Sequence, residues 1–325
     1  MAGEAWKVAA LQFPLPERDG GPGSREAWQA ELDRRVAAAR QAGAEFVVLP
    51  PGAGAGPAGV PAVAAWARAG LHPRRLRRDA PPEDAWEQYC LSGAELARRH
   101  GVYLVPGSAV IPAGGGWQHA AGLFAPDGRL LGWQAQGHWT AEALAAGWLP
   151  SAELRPVECE GRVVALLLGY DAIMPEGFRL AERLGADLAV ALTAWPVPHN
   201  PWRQVATVWS NVQQTQIPCV EACLVGPVRG RLYAGHSAVY GPCEGTPGES
   251  GWYAQADAPM GEAAVQATIK WDVVERVRRE YPIARHLNPA LYRRHFAAAY
   301  GAAPLEASAP PEPPVSQDPA GEVRP

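Results

Sequence analysis

The sequence predicts an α/β fold built on mixed β-sheets, and three observations carry that expectation. Apolar runs of strand length alternate with helical stretches through the first hundred or so residues, as strands joined by crossover helices require. Two pairs of apolar runs then meet across short turn sequences, "PDGR" (126–129) and "EGR" (160–162), which adds antiparallel hairpins. Finally, "VVALLLGYDAIMPEGFRLAERLGADLAV" (163–190) reads as strand, sharp turn and helix, the arrangement that lifts a residue to the top of a sheet.

Each element has a local reason. "WKVAALQ" (6–12) is a buried first strand. In "SREAWQAELDRRVAAARQAG" (24–43), Ser24 can cap a helix whose stripe is Trp28, Leu32, Val36 and Ala39. "EFVVLP" (45–50) is a second buried strand, and the Gly/Pro-rich "PPGAGAGPAGVP" (50–61) is a loop. "PEDAWEQYCLSGAELARRHG" (82–101) is a helix feeding a strand at 102–108. Strands follow at 117–125, 130–136, 153–159 and 163–169, then a helix at 175–185 opened by Pro175 and a strand at 187–193. Asn200 and Pro201 cap and start a helix with Trp202, Val205, Trp209 and Val212 as its apolar positions. Strands at 217–226, "GHSAVYGP" and "EAAVQATIKW" precede a short helix, "DVVERVRREY". The expected organisation is a single domain over 1–303 and a disordered Pro/Glu-rich tail over 304–325.

Composition narrows the function classes. With 48% hydrophobic and 19% charged residues among 325, the chain can bury a sizeable core. The net charge of −4 argues against nucleic acid or an anionic membrane as partner, and "PRRLRR" (73–78), the longest basic run, reads as a solvated loop. No apolar stretch approaches the ~20 residues of a membrane span. A cytoplasmic protein is the expectation. The five cysteines, Cys90, Cys159, Cys219, Cys223 and Cys243, show no metal-ligand spacing and read as reduced thiols. No metal or cofactor is implied. Of 29 basic residues, all but Lys7 and Lys270 are arginine.

The order of segments resembles the nitrilase superfamily of carbon–nitrogen hydrolases from about Trp6 to about Tyr300. "VAALQF" is similar to the family's opening strand, and "GAEFVVLP" to a second strand that normally ends Leu-Pro-Glu. "LFAPDGRLLGWQAQGHW" is similar to a hairpin that normally delivers a lysine, and "GYDAIMPEG" to a Cys-Tyr-Asp elbow followed by Pro-Glu. The resemblance implies a four-layer α-β-β-α sandwich with two mixed sheets, usually paired with a second copy. It also implies chemistry in which a cysteine thiolate attacks a nitrile or amide carbon, a glutamate acts as general base, and a lysine stabilises developing charge.

At the matching positions this sequence has other residues. The glutamate position is Pro51, the lysine position Gln136, and the cysteine position Gly169. His138, Glu142, Tyr170 and Asp171 remain as possible pocket-lining scaffold, with Trp195 on a nearby loop. Asp171 is expected to bond backbone amides of the elbow, and Glu142 to lean on His138 or an arginine. Substitutes are poorly placed: Lys7 is separated from the far end of its strand by roughly 16 Å, and Cys159 from the elbow by roughly 20 Å. The reading is a protein of this fold without the triad, with a binding, regulatory or subunit-pairing role, as a homodimer or beside a relative. The alternative is an active hydrolase of amide, nitrile or N-carbamoyl bonds with relocated groups.

Overall fold

Side chains on a strand alternate between its two faces, and here the alternation sorts three cores. In the computed structural model, which describes residues 4–16, 24–56, 83–228, 230–257 and 260–301, β1 (Ala5–Gln12) sends Val8 and Ala10 to one core and Ala9 and Leu11 to another. Strand β2 (Phe46–Val48) divides likewise, with Phe46 and Val48 on the face of Val8 and Val47 on that of Ala9. The segments 73–78 and 304–325 lie outside the described residues.

The first sheet runs β15-β1-β2-β3-β5-β4, with β6 added on β5. Its members are β3 (Tyr103–Val105), β4 (Ala109–Ala113), β5 (Gly116–Phe124), β6 (Leu130–Ala135) and β15 (Ala263–Lys270). The second runs β14-β13-β10-β9-β8-β7, from β7 (Val157–Cys159), β8 (Arg162–Leu168), β9 (Leu188–Thr193), β10 (Cys219–Cys223), β13 (Ala238–Tyr240) and β14 (Trp252–Gln255). Both sheets are parallel at the centre, β1–β2–β3 and β8–β9–β10, and antiparallel toward the edges. A separate ribbon joins β11 (Val225–Val228) to β12 (Arg231–Ala234).

The core between the sheets takes the large residues of both: Trp6, Phe46 and Leu123 from the first, Leu166, Leu168, Val190 and Leu192 from the second. On the outer face of the second sheet the strands turn small residues, Ala165, Ala189 and Ala191, toward Phe178, Ala181 and Val212 of the helices. Alanine there lets helices approach the sheet closely. Helices α1 (Ser24–Gln41) and α2 (Ala85–His100) cover the first sheet through Leu32, Val36, Tyr89 and Leu96. Asp33 ties them together, accepting from Arg99 at 2.8 Å and contacting His100 at 3.0 Å. The result is the four-layer α-β-β-α sandwich.

Contacts divide the chain into two units, Met1–His286 and Leu287–Pro325. The described part of the second is a helix, Pro289–Gly301, started by Asn288 Oδ1 accepting from the N–H groups of Ala290 and Leu291 at 3.2 Å each.

Several local expectations need correction. The run 217–226 is two strands, β10 and β11, in different sheets, because the chain leaves the second sheet at Leu224. The strand at 153–159 shrinks to Val157–Cys159, since the Gln134 carboxamide binds the backbone at Glu153 and Arg155 in place of a neighbouring strand. Trp202 is 74% exposed rather than packed. Strands β4 and β14 and the short helix α3 (Ala141–Ala145) carry no clear period in the sequence.

Candidate functional site

The carboxyl ends of the central parallel strands are where α/β sheets place ligands, and β2, β8 and β9 deliver Pro51, Gly169 and Trp195 just beyond theirs. Strand β8 ends at Leu168, and Gly169 follows with φ 54° and ψ −116°, its N–H donating to Leu192 O at 2.9 Å. The turn then enters α4 (Tyr170–Ile173) and α5 (Pro175–Arg183), with Pro175 in the first turn of α5. Gln136 lies against this elbow. A Cβ on Gly169 would sit 2.9 Å from Gln136 Oε1 and 3.1 Å from its Cδ and Nε2, so the carboxamide occupies the ground from which a side chain would project.

Gln136 is held by a chain of neutral hydrogen bonds. Its Nε2 donates to His138 O at 2.7 Å, which orients the amide and leaves Oε1 toward His119 Nδ1 at 3.0 Å. An amide oxygen only accepts, so Nδ1 of the neutral ring carries the proton and Nε2 accepts from Ser108 Oγ at 2.6 Å. Ser108 Oγ in turn accepts from Gly52 N–H at 3.0 Å, in the turn that contains Pro51. Ser108, His119 and Gln136 are all buried, and burial pushes the His119 imidazole down to about 3. Gln136 is thus joined by contact to Gly169 and, through His119 and Ser108, to the turn of Pro51, and among the described residues these links are between neutral groups.

Asp171 does not bond the elbow amides. Its carboxylate reaches back to the chain after β6, accepting from Gly137 N–H at 3.0 Å and His138 N–H at 2.7 Å, with His138 Nδ1 at 2.8 Å. The bond to Asp171 raises the His138 pKa, against a smaller opposing effect of burial, with the Asp171 and Glu176 charges adding to the rise. Glu142 leans on neither His138 nor an arginine. It is exposed in the first turn of α3, held below its ordinary value by its own backbone amide and the Thr140 hydroxyl.

Above Gly169 and Gln136 opens a cavity of about 510 Å³. Trp139, Tyr170, Ile173, Trp195 and Pro196 form its apolar walls, Thr193 and Thr207 add hydroxyls, and Arg203 and Arg231 complete the lining. Of the residues singled out from sequence, Gln136, Gly169, Tyr170 and Trp195 converge here, whereas His138, Glu142, Asp171 and Pro51 are not part of the described lining. The described lining includes no Cys, Lys, Asp or Glu. Lys7 and Lys270 are both exposed at the opposite end of the β1–β15 pair, where Lys270 faces Ala5. Cys159 faces Arg162 at the far end of β8, and burial raises its thiol to about 12. Among the described residues, no three His, Cys, Asp or Glu side chains are grouped to hold a metal, and no helix is long and apolar enough to cross a membrane.

Behind the Thr193–Trp195 wall lies Glu221 on β10, fully buried. Its Oε1 accepts from Thr193 Oγ1 at 2.6 Å and Trp195 Nε1 at 3.0 Å, and its Oε2 from Gln204 Nε2 at 2.5 Å and Tyr240 Oη at 2.7 Å. Four donors satisfy the carboxylate without a cation. Burial first, then this carboxylate, raise the thiols of Cys219 and Cys223 well above their ordinary value. Glu221, His119, Ser108, Arg203 and Arg231 were not singled out from sequence. Glu221 had a signal, as the sole charge in the apolar run "IPCVEACLVG" (217–226); the arginines had none.

Comparison with known proteins follows this geometry. The model of the carbon–nitrogen hydrolase family matches residues 7–255. The chain belongs to the carbon–nitrogen hydrolase family. Its fold is similar to that of a carbon–nitrogen hydrolase from Helicobacter pylori G27, with a TM-score of 0.71 at 18% identity over 90% of this chain and 98% of that one. It is also similar to an amidase from Nesterenkonia sp., with a TM-score of 0.67 at 19% identity over 86% and 95% of the two chains. A mutant of the amidase from Nesterenkonia sp. AN1, solved with the acetamide moiety of fluoroacetamide on its active-site cysteine, aligns with a TM-score of 0.65 at 19% identity over 87% and 97%. No curated protein sequence matches this chain.

Proposed function

We propose that this member of the carbon–nitrogen hydrolase family has lost amide and nitrile hydrolysis and works by binding a small molecule in the cavity above Gly169. One observation carries the reading. At the elbow the chain has a residue without a side chain, and the Gln136 carboxamide stands 2.9 Å from where a Cβ would begin. A thiolate has no place there without displacing a buried, hydrogen-bonded amide. The described walls add no thiol, ammonium or carboxylate to take over attack, charge stabilisation or proton transfer. Losing one member of a cooperative catalytic unit removes most of its rate, and all three matching positions differ. The similar amidase is a cysteine enzyme by its adduct, and Gly169 is what this chain has where the resemblance places that cysteine. Pairing with a second copy or a relative is the companion proposal, and Leu180 on α5 and Leu184 just past its end, both about half exposed, are apolar surface such pairing would cover.

The test is the purified full chain with small amides, nitriles and N-carbamoyl compounds, following ammonia, and with fluoroacetamide, following intact mass. No ammonia and no adduct are expected. Turnover, or a stoichiometric adduct, would overturn the proposal. The triple variant Pro51→Glu, Gln136→Lys, Gly169→Cys is expected to gain the adduct.

A further inference from the structure

We propose that the cavity takes a small organic anion: a carboxylate or phosphate group carried on a flat apolar body. This rests on the binding reading above. The donors decide the chemistry. Trp139 Nε1 is committed to Gln136 O at 3.2 Å and Trp195 Nε1 to Glu221 at 3.0 Å, so both indoles offer the cavity only ring surface. The Thr193 hydroxyl proton goes to Glu221 and that of Thr207 to Arg203 O at 2.7 Å, so neither hydroxyl is available to donate to a guest. Among the described lining side chains, beside the Gln136 amide that donates to His138 O, what remains is the Tyr170 phenol and the guanidinium groups of Arg203 and Arg231. Among the described residues neither guanidinium forms an ion pair. The charge of Arg203 is felt by His199, whose pKa it helps to depress after burial, and Arg231 lies 5.8 Å over the Tyr233 ring.

Among the described lining residues two guanidinium groups and no carboxylate face aromatic walls, and the Glu221 carboxylate behind the wall is taken up by four donors, an arrangement that favours an anionic guest. A guanidinium presents a planar fork of donors that matches two oxygens of a carboxylate or phosphate. The aromatic walls lower the local dielectric and strengthen that attraction. A neutral amide of the same shape would meet the walls but not the charge, and an ammonium would be repelled. The volume, about 510 Å³, falls in the range of small-molecule sites.

The experiment uses the full chain and calorimetric titration with four probes of one shape: benzoate, phenyl phosphate, benzamide and benzylamine. Benzoate or phenyl phosphate is expected to bind at least roughly tenfold more tightly than benzamide, by one charge-assisted contact, with benzylamine not binding. The stronger of the two anions identifies the head group. Binding should weaken as salt rises. Arg203→Gln and Arg231→Gln, at exposed positions that leave the melting temperature unchanged, should each weaken the anion roughly tenfold. Ala206→Asp, which places a carboxylate in the same wall, should weaken it further. Benzamide binding as tightly as the anions, both arginine variants matching wild type, or no binding of any probe would overturn the proposal. Ammonia release from benzamide in the same samples would instead overturn the non-catalytic reading, so the two failures are told apart.

Discussion

Adding one methyl group at Gly169 tests the relation between the elbow and the amide beside it. The backbone there has φ 54° and ψ −116°, a region that costs a residue with a side chain about 1–3 kcal/mol. The new Cβ would lie 2.9 Å from Gln136 Oε1, well inside the ~3.5 Å of a comfortable contact. The tip of a long side chain would ordinarily swing away at little cost. Here His119 and the carbonyl of His138 hold it at 3.0 and 2.7 Å, and the residue is buried. Displacing it weakens two hydrogen bonds worth about 1 kcal/mol each. Gly169→Ala should therefore cost about 3–5 kcal/mol of stability by summing these two effects. With Gln136→Ala already made, the obstruction is gone and only backbone strain remains. The same change should then cost about 1–3 kcal/mol, a coupling near 2 kcal/mol. Urea unfolding of wild type, both single variants and the double variant measures all four corners. Equal costs in the two backgrounds, or a single-variant cost below about 0.5 kcal/mol, would refute the picture of Gln136 filling the space beside Gly169.

Other expectations follow from the same network. His119 is pushed down to about 3, so between its unfolded value near 6.5 and about 3 the unfolded chain binds the extra proton. Its contribution to stability is present above pH 6.5 and lost as pH falls through that window, on the order of 5 kcal/mol at ~1.4 kcal/mol per unit. His119→Gln should flatten the acid limb of a stability–pH curve. His138 has the opposite sign: its raised pKa gives stability that is present below the unfolded value and lost as pH rises through the folded one. NMR titration should therefore show His138 protonating above an ordinary histidine and His119 staying neutral well below it. Glu221→Ala leaves four buried donors without an acceptor and should cost about 3 kcal/mol or more, with a change in Trp195 emission; Glu221→Gln should fall between, since an amide nitrogen cannot accept. Native-state alkylation near neutral pH should spare Cys219 and Cys223, which are buried with raised thiol pKa values, and reach the partly exposed Cys90 and Cys243 only slowly, because burial raises theirs as well.

The layers and their strands were legible in the amino-acid order because burial imposes period. The pairs Val8/Ala10 and Ala9/Leu11, or Leu166/Leu168 and Ala165/Leu167, announce a strand covered on both faces, and Pro175 and Pro201 announce helix starts. The order of motifs also placed Pro51, Gln136 and Gly169 at the ends of their strands, since chain direction and strand length set where each run stops. At these three positions the amino-acid order itself gives a proline, a carboxamide and a glycine, and the proposal that the triad is lost rests on the resemblance that picks them out. Which way side chains turn across a gap was decided only in three dimensions. Asp171 reaches the Gly137–His138 backbone instead of the elbow, and His119 joins Gln136 to Ser108 across strands. Arg203 and Arg231 reach one cavity from a helix and a hairpin that share no sequence period. Hydrogen bonds and charges act over a few ångströms in space, between residues tens to hundreds apart along the chain. Hydrophobic period records which face of an element is buried, and it carries no information about which polar groups that burial brings together.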